Sequence, residues 1–278
     1  MPAKINIGLA VGPKRPDGFH ELHTVFAGID LFDTVTVAAA DRLSLELTGT
    51  EAGGLPTDQS NLAWQAAEKL QARVRLHIDK QIPVAAGLAG GSADAAGVLL
   101  GCHRLQPGPA LGPVATELGS DVAFALHGGL AVGRGRGEQL EPLDGPPLHW
   151  VLVAATGELS TPAVYAELDR IRPTADEPEL DPDLITAVSR GDAGTLAGKL
   201  SNDLQPAAIN LAPYLADTLA AGDAAGALAG LVSGSGPTCL FLAADAEHAT
   251  ALAGRLDTAG RFTRAVTTGA RSTIETVH

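Results

Sequence analysis

Residues 82–97 read IPVAAGLAGGSADAAG. Gly87, Gly90 and Gly91 let the backbone turn sharply, present N–H groups and approach a ligand closely. Ser92 is expected to start an Ala-rich helix that runs through Leu105. A glycine loop that opens a helix makes an anion site from free N–H donors and the helix dipole. That suits a phosphate chain. No Gly-Lys-Ser/Thr follows, so this is not a Walker loop, and the glycine spacing is not that of the dinucleotide fingerprint. Composition alone would allow a flexible loop before a helix. The order Pro83, Gly87, Leu88, Gly90, Gly91, Ser92 at a strand-to-helix junction favours the phosphate reading.

Outward from this loop, VRLHID (74–79) reads as a strand and Ser60 as the N-cap of a helix through about Ala72. Residues 3–11 alternate as a strand that carries Lys4 and Asn6, and the turn PKRPDGFH (13–20) follows it. LHTVFAGID (22–30), DTVTVAAA (33–40) and LSLEL (43–47) read as further strands, and 50–59 as loop. LGSDVAFALHGG (118–129) reads as a short helix or turn before the strand GLAVGRG (129–135). LHWVLVAA (148–155) is a strand, and helical patterns run from Pro162 to about Gly230. LVSGSGPTCLFLAA (231–244) reads as strand, glycine turn, strand. DAEHATALAGRL (245–256) reads as a helix and RFTRAVTTGA (261–270) as a closing strand. The class is α+β, with a boundary at the Pro/Gly cluster near Gly145.

The bulk composition narrows the function. The chain of 278 residues is 45% hydrophobic and 18% charged, which supports a real core and argues against disorder. A net charge of −13 makes it a poor general binder of nucleic acid or of anionic membrane. Phosphate ligands would need locally concentrated cations and N–H donors. Cys102 and Cys239 form no Cys-x-x-Cys pair and read as buried reduced thiols. There is no apolar run of transmembrane length and no signal peptide, so the cytoplasm is the expected compartment.

Other residues are candidates for chemistry. Asp121, set among apolar residues in LGSDV, is either a helix cap or a partly desolvated carboxylate in need of a cation. Lys4, in an otherwise apolar strand, is its candidate partner. Phe19 and His20 put a stacking ring and a hydrogen-bonding ring on one turn, which suits a base as well as it suits a surface turn. SGSGP (233–237) is by itself a tight hairpin.

Taken together and in this order, PAKINIGLAV (2–11), PVAAGLAGGSADAA (83–96) and VSGSGPTCLF (232–241) resemble the three motifs of the GHMP kinase superfamily, which includes galactokinase, homoserine kinase and mevalonate kinase. RPDGFHELHTVFAGIDLFDTV (15–35), SNLAWQAA (60–67), LGSDVAFALHGGLAVGRGRGE (118–138) and LSNDLQP (200–206) are similar to one branch of it. The resemblance covers nearly the whole chain. It implies a ribosomal-protein-S5-like N-terminal domain over 1–145, a ferredoxin-like C-terminal domain over 146–278, and an active site between them. It also implies the reaction: ATP, with Mg²⁺, phosphorylates the 2-hydroxyl of a methylerythritol unit carried on cytidine diphosphate, in the non-mevalonate isoprenoid route. The partners are then small molecules, and the protein is a monomer or a homodimer.

By the same resemblance Lys4 and Asp121 are catalytic. Pro83, Val84, Ala85, Ala86, Gly87, Leu88, Ala89, Gly90, Gly91, Ser92 and Ala93 cradle the nucleotide phosphates, with Asn61 and Lys80 near the adenosine. Asn6 is a polar contact on the acceptor side, Phe19 and Tyr165 sandwich the cytosine, and His20 bonds its edge. No residue is singled out as a metal ligand. Ala89 stands where many relatives carry Gly, and Ala93 where they often carry a second Ser. A homoserine- or mevalonate-type kinase is the alternative enzyme, but those substrates have no base for a GFH turn to stack. A catalytically inactive nucleotide-binding homologue would be expected to lack Lys4 or Asp121, and both are present.

Overall fold

The computed structural model describes all residues except 155–156, 158, 259–260 and 276–278. Ala155 of the expected strand 148–155 therefore lies outside the described residues. The first half of the chain forms β1 (Pro2–Lys14), β2 (His20–Phe32), β3 (Thr34–Ala39), β4 (Ser44–Thr48), α1 (Leu62–Lys69) and β5 (Val74–Asp79). It continues with α2 (Gly90–Leu105), α3 (Leu111–Leu118), α4 (Ser120–His127), β6 (Leu130–Gly135) and β7 (Gln139–Leu143). The second half forms β8 (His149–Ala154), α5 (Thr161–Ile171), α6 (Pro182–Arg190), α7 (Ala193–Ala197) and β9 (Ser201–Asn202). Then come α8 (Gln205–Leu211), α9 (Tyr214–Ala224), β10 (Ala229–Val232), β11 (Thr238–Ala243), α10 (Ala246–Leu256) and β12 (Phe262–Thr267).

Three sheets result. A five-stranded sheet has the order β7-β6-β2-β1-β9, and a three-stranded one the order β3-β5-β4. The third, β10-β11-β8-β12, is antiparallel throughout. Its strands follow the chain as β8, β10, β11, β12 with helices after the first and third, which is the ferredoxin-like arrangement. We propose that the chain divides at residues 145–146, because every strand of the first two sheets but β9 precedes that point and the third sheet follows it.

Period-two alternation decides what each strand buries. Val74, Leu76 and Ile78 point from β5 into a core with Ala95, Leu99 and other α2 residues. Ile5 and Ile7 of β1 share one core with Trp150 and Leu152 of β8 and Leu240 and Leu242 of β11. That core is continuous across residues 145–146. The opposite face of β8 and β11 (Val151, Val153, Cys239, Phe241) packs on helices α5, α8 and α10. Both cysteines are buried free thiols, as expected, and burial pushes Cys102 up to about 11 and Cys239 up to about 12. They stay protonated and unreactive at neutral pH.

Several boundaries differ from the sequence reading. Asn61, not Ser60, caps α1: its side chain accepts a hydrogen bond from the N–H of Ala63, while Ser60 bonds to Asp58. Asx and Ser caps compete for adjacent positions, and here the Asx side chain takes the helix end. Helix α2 begins at Gly90, two residues before Ser92. The helical run from 162 to 230 is broken at Ser201–Asn202, which leaves to pair in parallel with Gly8 and Leu9 of β1. A strand this short has no sequence signal of its own. Strand β7 and helix α3 were not anticipated either.

Ala89 sits just before α2 at φ 57° and ψ 35°, in the left-handed region. A Cβ there costs about 1–2 kcal/mol, against about 0.5–1 kcal/mol of extra chain entropy for glycine. Ala89→Gly is expected to stabilise the fold by about 0.5–1 kcal/mol, seen as a rise of about 2 °C in Tm. Calorimetry that finds a lower Tm would show that the strain is not there to relieve.

Candidate active site

A cleft of about 710 Å³ opens where β1, the loop at 83–92, the starts of α4 and α5, and the turn at 233–237 converge. Three sequence-distant motifs meet there through hydrogen bonds. The N–H of Lys4 donates to the carbonyl of Leu88 at 3.1 Å. The N–H of Asn6 donates to Oγ of Ser233 at 3.2 Å. Thr238 Oγ1 donates to the carbonyl of Ala86 at 2.7 Å. Gly87, at φ 74°, faces the carbonyl of Gly236, and a Cβ there would strike it. The SGSGP turn is thus a hairpin, as its sequence says, and also a wall of the first glycine loop.

The loop leads into α2 with no side-chain cap, so the first N–H groups of the helix are left for a ligand. A Cβ on Gly91 would meet no protein atom within 4 Å and would project into open space. Gly90 is tighter: a Cβ there would lie 3.1 Å from Ile82 and 3.3 Å from Lys80 Nζ. Ser92 lines the cleft, whereas Ala93 is buried in the core.

Lys4 and Asn6 occupy one face of β1, opposite the buried Ile5 and Ile7. Lys4 Nζ donates to Asn6 Oδ1 at 2.9 Å and lies 3.6 Å from Asp121 Oδ1. Asn6 in turn donates to Thr24 Oγ1 at 2.8 Å, and Thr24 donates to the carbonyl of Gly8. This chain fixes the ammonium. Asp121 stands in the first turn of α4, where the helix dipole favours a carboxylate, and it is about 39% exposed to the cleft.

Lys80 is placed differently from expectation. It touches the cleft wall, but its ammonium is buried between Asp33 and Asp94, 2.6 Å from Asp94 Oδ2. It is therefore tied beneath the glycine loop. Asp33 Oδ1 also accepts the N–H groups of Gln81 and Ile82, at 2.6 and 2.9 Å. Burial works against the Lys80 charge, but Asp94 and Asp33 outweigh it and raise its pKa. Burial chiefly pushes the Asp94 carboxyl up to about 7, Lys80 pulls it down and the charge of Asp33 pushes it further up. The residue types gave one clue to this group: Asp94 is an acid within an Ala-rich helix face. Nothing in the sequence pointed to Asp33.

Asn61 lines the cleft too, with its side chain engaged by Ala63 N–H and the carbonyl of Pro56. At the other end of the cleft, Phe19 is 52% exposed and Tyr165 rises from α5. His20 is set back from Phe19. Its ring is buried behind Tyr165, stacked at 5.0 Å, and Nε2 is bound to Asp169 Oδ1 at 2.8 Å. Tyr165 and Asp169 are one turn apart on α5, so one helix face takes both the ring and the nitrogen of His20. The imidazole supports Tyr165 from behind.

An uncapped glycine loop opening a helix, a Lys–Asp pair across from it and a ferredoxin-like second half define a small-molecule kinase of the GHMP class. Residues 61–129 match the GHMP kinases N terminal domain family, and residues 184–261 the GHMP kinases C terminal family. The chain is 53% identical over 272 residues to the 4-diphosphocytidyl-2-C-methyl-D-erythritol kinase of Rhodococcus jostii, which covers 93% of this chain and 88% of that one. It is 52% identical over 273 residues to the enzyme of the same name from Streptomyces avermitilis, at 94% and 92% coverage. The fold superposes on a crystal structure of 4-(cytidine 5'-diphospho)-2C-methyl-D-erythritol kinase with a TM-score of 0.81, at 36% identity and 97% and 98% coverage. The chain belongs to the 4-diphosphocytidyl-2-C-methyl-D-erythritol kinase family, within the GHMP kinases.

The Asp94 carboxyl has a pH signature. In the fold it holds its proton to higher pH than the ordinary aspartate value of about 4 in the unfolded chain. The folded state therefore binds more protons in this window. Stability from this group is complete below about pH 4 and declines as pH rises through about 7. Asp94→Asn keeps the shape and removes the titration. Its Tm should fall less than that of the wild type between about pH 4 and 8. Parallel Tm profiles for the two proteins would contradict the assignment.

Proposed function

We propose that this enzyme transfers the γ-phosphoryl group of ATP to the 2-hydroxyl of 4-diphosphocytidyl-2-C-methyl-D-erythritol, a step of non-mevalonate isoprenoid precursor synthesis. One observation carries the reading: the Lys4–Asp121 pair stands between an uncapped glycine loop and an aromatic end formed by Phe19 and Tyr165. A triphosphate at the first and a pyrimidine at the second would bring the acceptor hydroxyl to the pair between them.

Phosphoryl transfer leaves the protein little covalent work, so position and charge dominate. Asp121 accepts the proton of the acceptor hydroxyl as its oxygen bonds to the γ-phosphorus and the bond to ADP breaks. Lys4 holds the carboxylate and offsets charge that develops on the transferring group. Backbone N–H groups of the loop at 83–93 hold the phosphates, aided by the N-terminal dipole of α2. Asn61 borders the adenosine end and Lys80 stiffens the loop from below. Asn6 fixes Lys4 and faces the acceptor. Phe19 and Tyr165 stack the cytosine, each worth about 1–3 kcal/mol by analogy with other base-stacking platforms, with His20 as support behind Tyr165.

Among the described residues no group of three or more His, Cys, Asp or Glu side chains is placed to hold a metal. That fits an ion carried in on the nucleotide, because Mg²⁺ is commonly held by substrate phosphates with one or two protein oxygens. Ser92, beside the glycine loop, is among the side-chain oxygens that line the cleft. When bound, Mg²⁺ supplies charge neutralisation on the phosphates. No helix is long and apolar enough to cross a membrane among the described residues. We place the enzyme in the cytoplasm, where ATP is at hand, as a monomer or a homodimer.

Purified protein with Mg-ATP and the cytidyl acceptor should give one singly phosphorylated product and one ADP per turnover, by mass spectrometry. Phosphorylation of homoserine or mevalonate instead would move the enzyme to another branch of the GHMP kinases. ATP hydrolysis with no modified acceptor would refute the reading. Asp121→Asn should lower kcat about 10²–10⁴-fold, as loss of a positioned base does, with ATP affinity nearly unchanged. Near-normal kcat would leave that carboxylate only its place in the first turn of α4.

A further inference from the structure

The acceptor proposed above carries a diphosphate, and this inference rests on that reading. The protein is strongly acidic overall, at −13. A diphosphate entering the cleft needs a cation that is not already neutralised. Lys4 is shared between Asn6 and Asp121, and Lys80 is buried between two carboxylates. Arg136 also lines the cleft, and it has no carboxylate within ion-pair distance among the described residues.

The position of Arg136 matches the layout of such a substrate. It sits on the turn between β6 and β7. Its backbone N–H is pinned by Glu138 Oε2 at 2.6 Å, which leaves the guanidinium as the part free to respond. The guanidinium lies over the Phe19 ring, 4.8 Å from its centroid. The same turn rests on Phe26: a Cβ on Gly137 would come 3.2 Å from that ring. Lys4 Nζ lies over the same Phe26 ring at 5.5 Å. The Arg136 turn therefore touches both the Phe19 ring and the Phe26 ring that lies beneath Lys4. In the substrate, the diphosphate is the group between the base and the polyol.

We propose that Arg136 is the diphosphate-recognition residue of the acceptor site, its planar fork pairing with the phosphate oxygens from its place over the Phe19 ring. A guanidinium suits this work because it binds phosphate oxygens in pairs and stacks on an aromatic face at once.

The test compares cytidine with cytidine diphosphate as ligands, by calorimetry. A non-hydrolysable ATP analogue is kept saturating so that the nucleotide loop is filled. The wild type should prefer the diphosphate. Arg136→Gln should lose about 10- to 100-fold of that preference, the scale of charge-assisted hydrogen bonds. Its affinity for cytidine should fall far less than that for the diphosphate, since Phe19 and Tyr165 are both retained, and its affinity for the ATP analogue should stay within about twofold. Arg136→Lys should restore part of the preference. Arg136→Met, which keeps the stem, removes the charge a second way if the Gln variant does not fold. Equal losses for cytidine and its diphosphate would reduce Arg136 to a prop for Phe19 and overturn the proposal. An unchanged preference in a folded variant would overturn it as well. A wild type with no preference for the diphosphate would instead remove the acceptor reading on which the proposal stands.

Discussion

Strand β1 donates two backbone hydrogen bonds sideways, and the site depends on them. The N–H of Lys4 binds the carbonyl of Leu88, and the N–H of Asn6 binds the hydroxyl of Ser233. One strand thereby fixes both glycine loops and presents the side chains of Lys4 and Asn6 between them. The alternation of β1 makes this possible. Ile5 and Ile7 anchor it in a core shared by both halves of the chain, so the polar face has nowhere to turn but the cleft. A register slip of one residue would bury Lys4 and expose the isoleucines.

The loop itself is held from below by charge. Lys80, Asp33 and Asp94 make an ion cluster under the first turns of α2. Buried ion pairs seldom add net stability, because desolvation consumes most of the Coulombic gain. One oxygen of Asp94 has no hydrogen-bond partner among the described residues, which adds to that cost. The compensation is geometric. Asp33 also binds two N–H groups of the segment that leads into the loop, so the cluster sets where the loop begins. A phosphate site made of backbone N–H groups works only when those groups already point the right way.

The aromatic end follows the same logic. Tyr165 is backed by His20, and His20 is oriented by Asp169 from the same helix as Tyr165. A stacking ring held from behind loses less freedom when a base arrives. The left-handed Ala89 is a departure from this economy, a strained residue at the start of α2.

The sequence by itself determined the α+β class, most of the strands, the glycine loop that opens a helix and the Lys4–Asp121 pairing. Each of these is local, or belongs to a motif whose residues lie a few positions apart, and alternation and glycine placement act at that range. It did not determine which side chain caps α1, that Ser201–Asn202 leaves a helical region to join β1, or that His20 lies behind Tyr165. Nor did it show that Lys80 is buried between Asp33 and Asp94, or that Arg136 has no carboxylate partner among the described residues. Those facts depend on which groups from distant segments compete for the same hydrogen bond or charge, and that competition has an outcome only once the chain has brought them together.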